Sequence, residues 1–201
     1  QMCIRDRDNN ISEEEVAKAA HMSLRNFRRQ IHSEDRTQTR IVLILADYNH
    51  QSIDSIFFDQ MYNQPINLEG LTWNQVQDIM KLIHPELFTD IKRSSKFKNF
   101  EYNLKNDMGD RMRFIREVVF SLSQTQFGKY MEVTRNTAKY WDEGQINADK
   151  ILKISQRTNI SMDFMIRDNY PLTLQTQDMS EALYLAVMTN CVLYRLRNMK
   201  Q

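Results

Sequence analysis

Met108, Met112, Ile115 and Val119 recur at the period of an α-helix, with Arg111, Arg113 and Arg116 read onto its other faces. The spacing predicts one amphipathic helix. The run Ser121-Leu122-Ser123-Gln124 supplies a capping serine ahead of Phe127, Gly128 and Met131. A break at Glu132-Val133 follows. Thr134 can then cap a helix over 135–141 that ends near Gly144. Asp149 is placed to cap a fourth helix through Ile151, Leu152 and Ile154. Ser161 is placed to cap a fifth, with Met162, Phe164 and Met165. Two short helices meeting at a turn of three or four residues make a helix-turn-helix. Phe127, Met131, Val133, Ala138 and Trp141 are its expected core, and Gly128 stands where the helices would cross too closely for a side chain.

The same pattern occurs earlier in the chain. Ile11-Ser12-Glu13-x-x-Val16-Ala17 lies 111 residues before Leu122-Ser123-Gln124-x-x-Phe127-Gly128, and Met22-Ser23 lies 111 before Val133-Thr134. Ile41 and Ile44 precede Ile151 and Ile154 by 110, and Ser52-Ile53-Asp54 precedes Ser161-Met162-Asp163 by 109. Residues 8–60 therefore read as a diverged copy without its first helix. Its second helix opens after Ser23, with Phe27 and Ile31 inward. A copy kept for dimerisation or packing, or a match to another helix-turn-helix family, remains an alternative for this segment.

Residues 61–106 read as a linker with one or two helices. Thr72-x-x-Gln75 is a capping box opening a helix through Val76, Ile79, Met80 and Ile83, and His84-Pro85 ends it. The stretch from Ser94 to Asn106 is polar, basic and aromatic (Phe97, Phe100, Tyr102), either a flexible strand of cations or a packed connector. The tail, 170–201, predicts one helix over about 179–197, with Leu183, Val187, Val192, Leu193 and Leu196 apolar. It must be buried somewhere. Packing onto its own chain and pairing with a second copy are both open.

Composition removes several chemistries. The four glycines stand alone, which excludes glycine-rich phosphate loops. Two cysteines and four dispersed histidines build neither a disulfide framework nor a zinc site. Cys191 reads as a small core residue. No cofactor, no metal and no catalytic set is expected; Asp142-Glu143 reads as helix-end chemistry. No run of about 18 apolar residues spans a membrane. The expected setting is reduced and cytoplasmic, in a bacterium or phage. The first seven residues read as a non-native leader. The net charge is only +1, but residues 24–40 hold five arginines against two acids, and residues 92–105 five cations against one acid. Such local basic stretches suit nucleic acid.

Residues 107–169 resemble the Cro/cI-like (xenobiotic-response-element) helix-turn-helix family. Met108-Gly109-x-Arg111-Met112-x-x-Ile115-Arg116 matches the family's first helix. Leu122-Ser123-Gln124-x-x-Phe127-Gly128 matches Leu-Ser-Gln-x-x-Leu-Ala, and Val133 to Ala138 matches Val-Ser-Arg-Ser-Thr-Ile. Trp141-Asp142-x-Gly144 matches Trp-Glu-x-Gly, and Ile160 to Met165 matches Val-Ser-Leu-Asp-Trp-Leu. Glu132 departs from the usual turn glycine, at about 1 kcal/mol if its φ is positive. Asn147 departs from the usual proline.

The resemblance implies an all-α protein: two lambda-repressor-like helix-turn-helix domains joined by a partly helical linker, with a C-terminal helix. It implies sequence-specific binding of double-stranded DNA by a repressor-like transcriptional regulator, with an antitoxin-like or protein-interaction module as the alternative. Arg135 would bond guanine and Asn136 adenine in the major groove. Thr134, Thr137, Lys139 and Tyr140 would lie along the same face, and Gln124, Gln145 and Asn147 would meet phosphates. In the first copy, Ser23, Leu24, Arg25, Asn26, Arg28 and Arg29 take these places. The tail helix is a candidate homodimer seam.

Overall fold

The computed structural model describes residues 12–31, 38–48, 50–58, 64–88 and 102–200. The expected leader, the stretch 32–37, Phe97 and Phe100 lie outside the described residues, as does the side chain of Ile31. The chain is mostly helical. Four helices come first: α1 (Glu13–Ala19), α2 (Leu24–Ile31), α3 (Thr39–Tyr48) and α4 (Ile53–Phe57). A two-residue strand β1 (Ile66–Asn67) and helix α5 (Trp73–Ile83) follow. Helix α6 (Met108–Phe114) runs on into one wide π-helical turn, Ile115–Val119. Then come α7 (Gln124–Met131), α8 (Arg135–Asp142), α9 (Ala148–Thr158), α10 (Met162–Ile166), β2 (Thr173–Leu174) and α11 (Glu181–Asn198).

Most of the expected caps form. Thr72 and Gln75 close a capping box on α5, Ser123 and Gln126 one on α7, and Ser12 and Glu15 one on α1. Ser161 caps α10. Asp149 does not cap α9: it falls in the first turn, and Asn147 is the cap, its Oδ1 accepting from the Lys150 N–H at 3.1 Å.

The described run α1–α4 and the run α7–α10 share their irregularities. Ser12 and Ser123 cap α1 and α7 at a separation of 111 residues. The left-handed residues His21 (φ 53°) and Glu132 (φ 57°) stand 111 apart, and His50 (φ 51°) and Asn159 (φ 57°) stand 109 apart. Ser52 and Ser161 cap α4 and α10, five residues each.

The sequence offered no strand, yet β1 pairs antiparallel with β2, Ile66 opposite Leu174 and Asn67 opposite Thr173. Two residues carry no readable alternation, which is why the pattern missed them. The pair stitches the middle of the chain to the segment before α11. Val76, Ile79 and Met80 of α5 are buried in the main core, which also takes in Val42, Ile53, Phe127, Trp141, Val187 and Cys191. The described part of the segment read as a linker thus belongs to the packed body. A smaller core of Val16, Ala17, Phe27, Ile41 and Leu45 holds α1, α2 and α3 together.

Helix α11 packs back on its own chain through Val187 and Cys191. Arg195 Nε donates to the Glu69 carbonyl (3.3 Å), and Asn198 Nδ2 to the Gly70 carbonyl (2.9 Å). Its other face stays exposed. Among the described residues, no helix is long and apolar enough to cross a membrane.

Candidate nucleic-acid interface

The geometry of α7 and α8 is set at three points. Gly128 lies against the turn: a Cβ there would meet the Val133 carbonyl oxygen at 2.9 Å and that of Thr134 at 3.2 Å. Glu132 holds the turn in the left-handed region at φ 57°, ψ 43°. Its carboxylate is met by Arg157 Nη2 at 2.6 Å and Lys153 Nζ at 3.5 Å, and the Arg157 guanidinium, with Lys153 behind it, holds its pKa below the usual carboxylate range. The Thr134 hydroxyl accepts from the Thr137 N–H at 3.1 Å and opens α8. On the inner face, Trp141 meets Phe127 edge-on at 6.3 Å and Ala138 is buried.

This packing decides what α8 shows to solvent. Thr134, Arg135, Asn136, Lys139 and Tyr140 are exposed, while Ala138, Trp141 and Asp142 are buried. Arg135 and Asn136 make no side-chain hydrogen bond or ion pair with the described residues. Lys139 makes only a loose pair with Glu143 at 3.6 Å. Half of the Tyr140 side chain is open. Thr137 is half-buried, its hydroxyl 2.9 Å from that of Thr134, and Gln145 is exposed.

Two expected phosphate contacts have other work. Asn147 is the half-buried cap of α9. Gln124, at the start of α7, is half-buried and donates through Nε2 to Asp142 Oδ2 at 2.8 Å. The same carboxylate takes Arg116 Nη2 (2.6 Å) and Nε (3.1 Å). Arg116 Nη1 donates to the Leu122 carbonyl at 2.9 Å. Burial opposes the charge on Arg116, but the Asp142 and Glu117 carboxylates outweigh it and its pKa rises.

Arg111 is buried as well. It donates to the carbonyls of Met165 (3.2 Å) and Leu104 (3.1 Å) and to Asp168 (3.2 Å). Reading Arg111 and Arg116 onto outer faces was wrong. The spacing 108, 111, 112, 115, 116, 119 is itself one helical stripe, and that was the signal to use.

In the first copy, the Ser23 hydroxyl accepts from the Asn26 N–H at 3.3 Å. Leu24 is half-buried against the smaller core. Arg28 pairs with Glu13 at 2.6 Å, and Arg29 donates to Asn26 Oδ1 at 2.9 Å. Arg25 is exposed and makes no such contact with the described residues.

No protein-family model matches the chain, and comparison with curated proteins and with solved structures likewise returns no match. Among the described residues, no group of three His, Cys, Asp or Glu side chains could hold a metal ion.

Proposed function

We propose that α7 and α8 form a Cro/cI-like helix-turn-helix and that the protein is a sequence-specific double-stranded DNA-binding transcriptional regulator, with no enzymatic role. The observation that carries this reading is the exposure of Arg135 and Asn136 on a helix whose opposite face is locked by Trp141, Ala138 and the Arg116–Asp142 pair. A planar guanidinium and an amide, held at the leading end of a rigid helix, suit bidentate bonds to guanine and adenine edges. Lys139 and Tyr140 follow one turn later and suit further bases or phosphate. Phosphate neutralisation supplies affinity, and base contacts supply specificity. The test is a polarisation titration against duplexes selected from a random pool. Arg135→Ala is expected to cost about 1–3 kcal/mol and to relax one base position. Equal binding of selected and scrambled duplexes would end the assignment.

A second reading, protein interaction, is favoured by the open face of α11. Leu185, Val192, Leu193, Leu196 and Met199 are 45–80% exposed. Ala182, Leu185, Thr189, Val192, Leu196 and Met199 alternate spacings of three and four, the seam of a coiled coil. Glu181 stands at one end, Arg197 and Lys200 at the other, which suits an antiparallel second copy. Sedimentation of the protein and of Val192→Glu checks this. A dimer that the substitution splits supports pairing of copies, and a monomer at all concentrations leaves the face to an antitoxin-like partner.

A further inference from the structure

Helices α4 and α10 touch through an exchange of like contacts. The backbone N–H groups of Ile53 and Asp54 donate to Asp163 Oδ1 and Oδ2, each at 3.0 Å. The backbone N–H of Met162 donates to Asp54 Oδ1 at 2.7 Å. Ile53 and Met162 are 109 residues apart, and so are Asp54 and Asp163. Swapping each residue for its counterpart turns the Ile53–Asp163 bond into the Met162–Asp54 bond. Contacts of residue i with j and of j with i are the mark of a two-fold relation, not of a head-to-tail repeat. All four residues are buried. Arg167 strengthens the clasp from one side. It binds Asp163 through Nε at 2.6 Å, reaches Asp47, and donates to the Gln51 carbonyl at 3.2 Å.

We infer that the chain is its own pseudo-dimer: α1–α4 and α7–α10 clasp about this local two-fold, and one polypeptide presents two recognition helices, α2 and α8, to a duplex carrying two unlike half-sites. The inference rests on the DNA-binding reading above and goes beyond it in naming the ligand. DNA itself has a local two-fold, and paired recognition helices meet half-sites about one helical turn, 10–10.5 bp, apart. The half-sites must differ because the helices do. Counted from their caps, Ser23 and Thr134, the leading residues are Leu24, Arg25 and Asn26 in α2 and Arg135, Asn136 and Thr137 in α8. Leu24 leans into the smaller core and Asn26 holds Arg29, so Arg25 is the reading side chain of the first half.

The experiment uses the full chain. Duplexes are selected from a random pool, the stoichiometry on the selected duplex is measured, and Arg25→Ala and Arg135→Ala are titrated against it. Both side chains are exposed, so neither substitution threatens folding. The expected result is two different sequence blocks filled by one chain. Arg25→Ala should weaken binding about tenfold and erase preference in one block, and Arg135→Ala in the other. A single block, with Arg25→Ala binding as well as the parent, would overturn the pseudo-dimer and leave the DNA-binding reading standing. Two identical blocks filled by two chains would overturn it in the same way. No preference over scrambled duplex would overturn both.

Discussion

Arg116 and Asp142, on helices 26 residues apart in sequence, form a two-pronged ion pair with N···O distances of 2.6 and 3.1 Å, and the side chains are only 4% and 5% exposed. The pair joins the π-helical turn after α6 to the last turn of α8. Gln124 and the Leu122 carbonyl complete it, so α6, α7 and α8 meet at one polar point inside the core. Removing one partner would leave the other charged and buried, which typically costs about 3–5 kcal/mol. Asp142→Ala is therefore expected to lower the urea midpoint sharply. The double change Arg116→Met with Asp142→Leu, which leaves no stranded charge, should recover most of the loss.

The turn between α7 and α8 makes a finer prediction. Gly128→Ala would place a methyl group 2.9 Å from the Val133 carbonyl oxygen, a backbone atom that cannot swing away. Helix propensity alone would favour alanine. The clash outweighs it, because overpacking costs about 1–3 kcal/mol. Chemical denaturation should find Gly128→Ala less stable than the parent. A DNA titration should find weaker binding, since the forced shift moves the leading end of α8.

Glu132 separates backbone strain from ion pairing. Its φ of 57° is costly for any residue with a Cβ, and its carboxylate bonds to Arg157 and Lys153 in the open. Glu132→Ala keeps the strain and loses the pairs, whereas Glu132→Gly loses both. Glycine should therefore come out more stable than alanine by about 1 kcal/mol. Adding salt should narrow the gap between parent and glycine variant, because exposed pairs are screened. Urea melts of the three proteins at low and high salt check both statements.

These positions mark how far the sequence could be read. Serine and threonine caps followed by apolar runs located α1, α4, α5, α7, α8, α10 and α11, because a cap and a period are local features. The offset of about 110 residues survived because left-handed residues and caps are hard to exchange, as His21 with Glu132 and His50 with Asn159 illustrate. What could not be read was tertiary. Arg116 and Asp142 look like surface charges until α6 and α8 are brought together. Gln124 and Asn147 look like free polar groups until Asp142 and the start of α9 claim them. The strands β1 and β2 are too short to have a period and exist through their pairing.

The buried clasp between Asp54 and Asp163 should make stability depend on pH near neutrality. Burial is the main cause that pushes the Asp54 carboxyl up to about 7; the nearby Asp163 adds to the rise, and bonds from Ser161 and the Met162 N–H offset part of it. Arg167 meets the Asp163 charge, and Tyr170 is the other titratable group facing the pair. At the position of Arg167 in the first copy stands Phe58, so Asp54 has no such cation. In the unfolded chain Asp54 would titrate near 3.9. Between about pH 4 and 7 the native state therefore holds a proton that the unfolded state has lost, and stability falls as pH rises through that window. Asp54→Asn keeps the oxygen that accepts from Met162 and removes the titration. Urea midpoints from pH 4.5 to 8 should decline less steeply for Asp54→Asn than for the parent, and the variant should be the more stable of the two at pH 8. Equal slopes would mean that Asp54 is ionised throughout that range in the folded protein.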